Sequence, residues 1–309
     1  MPRGTAGGRL LVLGYHNVDS TWRWPATPTG GPRNFARQMS LLAKVANVVP
    51  LDAALADLAE GRPLPPRAVA VTFDDGYRDN LTHAVPVLRR LGLPATVFLV
   101  PGFLSHKVHA WWERLSWALA TTRVPSVEVD GTLLPLGDDA ARVRARDVIE
   151  ASLKRDDLAT RHERLDRLVE ALGPEGDLHP GDLFIDWDEA RKLVGAGITI
   201  GSHTMSHAIL ARETPAEQQA DLRESREVLE RELGVAVRTL AYPNGQAGDY
   251  DEITIDAARA AGYSHSVTTR GRLTDGSTPQ HEIARWIVSP EKPASRLAVG
   301  SLRSLLSRP

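Results

Sequence analysis

Cysteine is absent from the 309-residue chain. This absence excludes disulfide bonds, thiolate metal sites and a cysteine nucleophile at the same time. Any metal that the protein binds must therefore be held by histidine, aspartate or glutamate side chains.

An excess of positive charge is also absent, because 37 Lys and Arg residues face 39 Asp and Glu residues and leave a formal net charge of −2. Nucleic acids and anionic membranes attract proteins through clustered basic residues. The composition therefore argues against a nucleic-acid partner and a polybasic membrane surface. It identifies no protein partner.

Long apolar runs are missing as well. A membrane helix needs about 20 apolar residues, and the sequence contains no such stretch. The first apolar run, residues 10–13, is shorter than the core of about 7–15 residues in a secretory signal. We therefore expect a buried first strand here, no transmembrane segment and a cytoplasmic protein.

Short apolar segments alternate with amphipathic ones, which favours strands and helices arranged around a parallel sheet, closed or open. Several apolar segments lack polar alternation, as strands buried on both faces do. The predicted strands are residues 9–15, 68–73, 95–100, 198–201, 237–242, 264–268 and 283–288. The predicted helices are residues 35–43, 81–91, 187–194 and 215–233, the last bounded by Thr214 and Gly234.

One segment interrupts this alternation. Residues 138–173 are dense in charge and place apolar residues at helical spacing. The pattern predicts a helical insertion with a solvated charged face, although a lid or a partner-binding arm has the same pattern. We place the insertion at about residues 104–182.

Two neighbouring carboxylates, Asp74 and Asp75, lie in residues 72–76 (TFDDG), where a predicted strand ends. Sites in parallel α/β folds form at the carboxyl ends of strands. Adjacent carboxylates repel, so that holding both there calls for a cation or a proton. One can then bind a metal while the other stays free as a base. An Asp-Asp-Gly turn that caps a helix explains this motif equally well on its own.

Two histidines, His203 and His207, follow the predicted strand 198–201. If the segment turns helically, both can reach one cation at about 2.0–2.1 Å. Each histidine alone is more typical of a hydrogen-bonded core or surface residue. Together with the carboxylate pair they favour a metal site, and two histidines with one carboxylate leave positions open for water and substrate.

The TFDDG segment resembles the first motif of the polysaccharide deacetylases, the nodulation-type (NodB-like) carbohydrate esterases, and the two-histidine segment resembles the second. Residues 240–245 (LAYPNG) resemble the third motif in a variant form, with Ala241 in place of the usual arginine. The segments similar to one branch of the family are residues 15–18, 111–115 and 187–189. The likeness extends over residues 10–288.

The resemblance implies a distorted parallel (β/α) barrel of about seven strands with the helical insertion, forming a single domain over residues 1–309. It also implies a metal-dependent hydrolase that removes an acetyl group. We expect first an N-acetyl group, whose removal breaks a non-peptide C–N bond. The expected substrate is an N-acetylated sugar, glycan or sugar conjugate. Because no export signal is evident, we expect a substrate inside the cell.

Carried over residue by residue, the resemblance assigns Asp74 as the general base that takes a proton from the attacking water. A divalent cation, expected to be zinc, would be held by Asp75, His203 and His207. Such a cation lowers the pKa of water and polarises the acetyl carbonyl. The oxyanion needs preformed donors. By position, one is the backbone N–H of Asn244, since Pro243 has none.

The chain departs from the family pattern in two roles. Ala241 replaces the arginine that usually orients the base, and Arg285, near the end of the last predicted strand, is either its substitute or a surface residue. No segment matches the motif whose histidine protonates the leaving amine. His16, at the end of the first strand, is better placed than His265 or His281 to act as this general acid. Alternatively, His16 is a histidine of the core with no catalytic role.

Aromatic residues near the motifs predict sugar contacts, because the apolar faces of sugar rings stack on aromatic rings. The substrate contacts predicted from these segments are Tyr242, Pro243, Asn244 and Trp286. On the long irregular loop 17–33, Trp22 and Trp24 are further candidates. The tryptophans at positions 111, 112 and 117 fit packing better.

Two other functions stay open. An amidase would attack a small or cyclic amide with the same chemistry, and a closed pocket rather than a long groove would favour it. A non-catalytic carbohydrate-binding protein would explain the missing arginine and acid, and it would bind no metal. The presence of Asp74 argues against a non-catalytic protein, because a site that only binds metal does not require this second carboxylate.

Overall fold

The computed structural model describes residues 8–25 and 30–288. The predicted domain 1–309 and the loop 17–33 therefore lie in part outside the described residues. Within them, no helix combines the length and the apolar composition that crossing a bilayer requires. The extent of the single domain and of the insertion stays a prediction.

A parallel sheet organises the fold. The strands are β1 (Leu10–Tyr15), β2 (Asn47–Val48), β3 (Ala68–Phe73), β4 (Thr96–Leu99), β5 (Ser126–Val129), β6 (Thr132–Pro135), β7 (Thr199–Ser202), β8 (Thr239–Ala241), β9 (His265–Val267) and β10 (Arg285–Ile287). Seven of them follow in the order β10-β1-β3-β4-β7-β8-β9, all parallel, and β2 pairs with the start of β3. β5 and β6 form a separate antiparallel hairpin.

The sheet curls until its two ends nearly meet. β10 pairs in parallel with β1. On the other side, Val267 at the end of β9 forms a parallel bridge with Ile283, two residues before β10. The amide of Thr268 also donates to the carbonyl of Ile283 at 2.8 Å. The predicted distorted parallel barrel of about seven strands is therefore confirmed.

The strands β1 and β3 are buried on both faces, as their uninterrupted apolar runs predicted. Every residue of β1 and of β3 is buried. Leu10 and Val12 of β1 belong to one apolar cluster, whereas Leu11 and Leu13 belong to another. This alternation is the period of two that a strand imposes on its side chains.

Helices connect the strands and cover the barrel. They are α1 (Gly31–Val45), α2 (Leu51–Ala59), α3 (Val85–Leu91), α4 (Pro101–Leu104), α5 (Trp111–Thr121), α6 (Asp139–Leu153), α7 (Leu158–Leu172), α8 (Pro180–Leu183), α9 (Trp187–Gly195), α10 (Pro215–Leu233) and α11 (Glu252–Ala260). A π-helical turn, Asn80–Ala84, leads into α3. The bounds of α10 agree with the prediction, because Thr214 and Glu217 form a capping box and Gly234 ends the helix with a positive φ of 66°.

The segment between β4 and β7 is not wholly helical. It contains α5 to α7, whose residues form an apolar cluster of their own, but also the hairpin of β5 and β6, which the sequence analysis missed. The turn of this hairpin is Asp130–Gly131, with φ values of 50° and 75°. An Asp-Gly pair with two positive φ angles is a strong hairpin signal, which the expectation of a helical insertion did not include. Residues 138–173, where charge and spacing predicted helices, form α6 and α7.

We predict that Gly201→Ala in β7 destabilises the fold by about 1–3 kcal/mol through overpacking. A Cβ atom at this position would lie 2.3 Å and 2.4 Å from ring atoms of Phe98 and 3.0 Å from the carbonyl of Thr239. The free energy of unfolding from chemical denaturation measures the effect. The control is Gly195→Ala at the end of α9, where no atom lies within 4 Å, and equal stability of the two variants would contradict the prediction.

Candidate active site

A cavity of about 380 Å³ opens where β3, β7 and β8 end. Seven of the ten predicted site residues line it, namely His16, Asp74, Asp75, His203, His207, Tyr242 and Asn244. They come from segments that follow four different strands. The carboxyl ends of parallel strands meet at one end of a barrel, which brings these distant parts of the chain together.

The three expected metal ligands converge in this cavity. Nε2 of His203 and Nε2 of His207 each lie 3.4 Å from the same carboxylate oxygen, Oδ1 of Asp75. One ligand atom from each of the three lies within 4.8 Å of the others. Ligands bound at about 2.0–2.1 Å to a tetrahedral zinc ion lie about 3.4 Å apart, so the donor set fits a divalent cation.

A turn, rather than the expected helix, brings the two histidines together. Thr204 and His207 adopt positive φ angles of 65° and 58°. Nδ1 of His203 donates to the carbonyl of Ala241 at 2.7 Å, which leaves Nε2 with its lone pair facing Asp75. Burial lowers the pKa of His203 to about 4. The lowered pKa keeps this imidazole neutral, which is the form that binds a metal, and the hydrogen bond to Ala241 selects the tautomer in which Nε2 is free.

Asp75 is a carboxylate that lacks the partners its burial demands. Neither of its oxygens has a hydrogen-bond partner among the described residues. Burial, and after it the charge of Asp74, raises the pKa of Asp75 well above the usual value. The residue also has a positive φ of 72°. A buried carboxylate without donors is costly unless a proton or a cation compensates it, and the facing imidazoles favour the cation.

Asp74 differs sharply from its neighbour, because Arg285 pairs with it. Nη1 and Nη2 of Arg285 donate to the two carboxylate oxygens of Asp74 at 2.6 Å and 2.8 Å, and both side chains are buried. Burial alone would raise the pKa of Asp74, but the charge and hydrogen bonds of Arg285 outweigh it and lower the pKa to about 2. Arg285 was expected to be either the substitute for the missing arginine or a surface residue, and its complete burial excludes the second alternative.

His16 lines the cavity close to Asp74. Its ring centroid lies 5.7 Å from that of Trp24, which lines the same cavity. Burial lowers the pKa of His16, while the charge of Asp74 acts in the opposite direction. The other two histidines considered for the acid lie elsewhere. Nδ1 of His281 is hydrogen-bonded to Ser266 at 2.9 Å, and His265 lines a different cavity.

Two of the four substrate contacts predicted from the motifs line the cavity. Tyr242 is buried in its wall, with its ring stacked on Tyr250 at 4.5 Å. Asn244, with a positive φ of 57°, lines it as well. Pro243 and Trp286 do not line it, whereas Ile287 does. Neighbouring residues of a strand point to opposite faces, which separates Trp286 from the cavity.

Two tryptophans that the sequence analysis assigned to packing line the cavity. Trp111 and Trp112 at the start of α5 are buried, and the ring centroid of Trp112 lies 4.4 Å from that of His207. Helical spacing does not reveal such a contact, since it depends on where α5 docks. Trp24 lines the cavity as expected, but Trp22 lies at a different one.

Comparisons with known proteins identify the family. A family model described as polysaccharide deacetylase matches residues 61–266. YxkH of Bacillus subtilis (strain 168), whose name assigns it to the same family, is 23% identical over 286 residues, which cover 91% of this chain and 72% of YxkH. The chain belongs to the polysaccharide deacetylase family, whose members are hydrolases of acetylated carbohydrates.

Solved structures show the same fold. The deacetylase PplD of Streptococcus pyogenes, solved in complex with acetate, is 15% identical with a TM-score of 0.64, and the match covers 96% of this chain and 99% of PplD. A de-N-acetylase of Aggregatibacter actinomycetemcomitans is 18% identical with a TM-score of 0.58, and the match covers 96% of this chain and 99% of the relative. At these identities the likeness supports the barrel fold.

We predict that Arg285→Met destabilises the protein by about 3–5 kcal/mol, because it leaves Asp74 as an uncompensated buried charge. Adding Asp74→Asn to this variant should restore most of the loss, since no buried charge then remains. Chemical denaturation of the two single variants and the double variant measures the coupling. Strictly additive free energies would contradict a direct pair.

Proposed function

We propose that this protein is a metal-dependent deacetylase that removes the acetyl group of an N-acetylated carbohydrate. The observation that carries the proposal is the convergence of Asp75, His203 and His207 beside a second carboxylate, Asp74, that is held ionised. A site that only binds sugar needs neither the ligand set nor the paired carboxylate. A small-amide amidase has no specific observation in its favour.

Asp75, His203 and His207 would hold the cation. Zinc suits this ligand set best, because it prefers nitrogen and oxygen ligands in a tetrahedral arrangement. When bound, a divalent cation supplies Lewis acidity that polarises the acyl carbonyl and lowers the pKa of water. The three residues leave coordination positions free, as catalytic sites do. Zinc as the metal is part of this proposal.

Asp74 acts as the general base. Because Arg285 keeps its pKa near 2, its carboxylate is ionised at neutral pH and ready to accept a proton from water. The two hydrogen bonds from the guanidinium group fix the plane of the carboxylate. Arg285 therefore takes the orienting role that an arginine at position 241 has in other members of the family.

His16, which lines the same cavity close to Asp74, acts as the general acid. Water adds to the acyl carbon, Asp74 takes the proton of that water, the C–N bond breaks, and His16 gives a proton to the leaving nitrogen. Burial makes protonated His16 a stronger acid. The backbone N–H of Asn244, at the cavity wall, is the candidate donor to the developing oxyanion.

The choice of an N-acetylated carbohydrate rests on the cavity and on the relatives. Its volume of about 380 Å³ can hold a sugar ring with its acetamido group. Trp24, Trp111 and Trp112 offer aromatic faces to that ring. One relative is named as a de-N-acetylase, and PplD was solved with acetate, the acyl product expected here. The cytoplasmic location stays a prediction.

Metal content measured alongside acetate release from a panel of N-acetylated sugars tests the proposal. We expect Asp74→Asn to keep the metal and to lose at least about 100-fold in kcat, whereas Asp75→Asn and His203→Ala lose both. His281→Asn is the control, because this buried histidine lies outside the cavity. Equal activity in the first three variants would refute the assignment.

A separate variant tests the acid. His16→Asn should lower kcat on an N-acetylated sugar by about 10²–10⁴-fold while the metal content stays the same. A substrate with a leaving group that needs no protonation should lose much less. Full kcat of His16→Asn on the N-acetylated sugar would remove His16 from the mechanism.

A further inference from the structure

A buried carboxylate on α5 has no role in the proposed reaction. Glu113 is 1% exposed, and it accepts hydrogen bonds from distant parts of the chain, among them one from the side chain of Thr21. The hydroxyl of Tyr77 donates to its Oε1 at 2.8 Å, and the backbone N–H of Arg23 donates to its Oε2 at 3.0 Å. Burial raises the pKa of Glu113, and these hydrogen bonds oppose that shift. The carboxylate therefore links three segments of the chain around the cavity.

The first link leads to a metal ligand. Tyr77 stands two residues after Asp75, and its oxygen accepts a hydrogen bond from Nε1 of Trp112 at 2.8 Å. The ring of Trp112 lies 4.4 Å from the ring of His207. Phe103 stacks on His207 at 6.2 Å with an interplanar angle of 18°, and it also contacts Trp112, with ring centroids 5.9 Å apart. The imidazole of His207 thus packs against a pair of touching aromatic rings, and one of them is fixed through Tyr77 and Glu113.

The second link leads to the proposed acid. Through the backbone N–H of Arg23, Glu113 holds the loop that carries Trp24. The ring of Trp24 packs edge-on against Tyr77 at 6.1 Å and lies 5.7 Å from His16. A single buried side chain therefore connects the segments that contact His207 and His16.

We propose that Glu113 is a positioning residue that acts through Tyr77 and Trp112 on His207, and through the Arg23–Trp24 loop on His16. His207 offers its Nε2 to the cation, and Nδ1 of His207 has no hydrogen-bond partner among the described residues. Packing must therefore fix the direction of the ring, a task that a hydrogen bond to the second nitrogen usually performs. The inference rests on the proposed function where it treats His207 as a ligand and His16 as the acid.

Two variants separate geometry from charge. Tyr77→Phe removes the hydroxyl that links Trp112 to Glu113 but keeps the ring and the carboxylate, and Glu113→Gln keeps the shape but loses an acceptor and the charge. We expect each to weaken Zn²⁺ affinity about tenfold in a chelator competition. We also expect each to lower kcat for acetate release more than it raises KM. The intrinsic tryptophan fluorescence should change in both.

Ser116→Ala is the matched control on the same helix, because its buried hydroxyl donates to the backbone carbonyl of Trp112 at 2.7 Å without touching the ring. It should lower the melting temperature and leave Zn²⁺ affinity unchanged. If Tyr77→Phe and Glu113→Gln behave like this control, the positioning role is refuted. If Glu113→Gln alone weakens Zn²⁺ binding, charge rather than position is responsible, and the proposal is equally refuted.

Failure of the proposed function would give a different result. In that case the wild-type protein releases no acetate from any sugar in the panel, while Zn²⁺ affinity still falls in Tyr77→Phe and Glu113→Gln. The binding measurement thus tests the link from Glu113 to His207 independently of the reaction. The kcat of Glu113→Gln relative to that of Tyr77→Phe, both at saturating Zn²⁺, tests the link to His16, because only Glu113→Gln alters the acceptor of the Arg23 N–H.

Discussion

The buried ion pair of Asp74 and Arg285 is the interaction on which the proposed chemistry depends. It connects the segment after β3 to the first residue of β10, across the intervening β1. Removing two charges from water is expensive, and only close geometry with all donors used compensates it. Here the guanidinium group also donates to Thr72 Oγ1 and to the carbonyl of Thr268, each at 3.2 Å. The ion pair therefore links β10 to the segment after β3 and fixes the position of Asp74.

This pair also explains how two adjacent carboxylates can have different roles. Asp74 and Asp75 are equally buried, yet the pKa of Asp74 is lowered while that of Asp75 is raised. The difference arises because Asp74 faces an arginine, whereas Asp75 faces two neutral imidazoles. In the absence of a cation the first carboxylate is already compensated and the second is not. Such a division suits one group for proton transfer and the other for ligation.

Much of the fold could be predicted from the sequence, because local signals and tertiary packing agree in it. The capping box at Thr214 and the uninterrupted apolar run of β3 both point to elements that the structure contains. The site motifs were recognisable because the residues within each motif are close in sequence, although the motifs themselves are far apart. The positions of Trp112 and Trp286 were not, since one depends on the docking of a helix and the other on the side of a strand that faces inward. The hairpin of β5 and β6 had a local signal in its Asp130–Gly131 turn, which was not recognised.

The distance along the chain between the two members of the ion pair has a consequence for biosynthesis. Asp74 and Arg285 are separated by 211 positions, and a ribosome delivers about 5–20 residues each second. For several seconds, therefore, a nascent polypeptide carries the acidic motif and both imidazoles without the cationic strand that completes them. The barrel cannot close around an ionised Asp74 until β10 emerges, so the proposed site is completed only after the strands β1 to β9 have been synthesised.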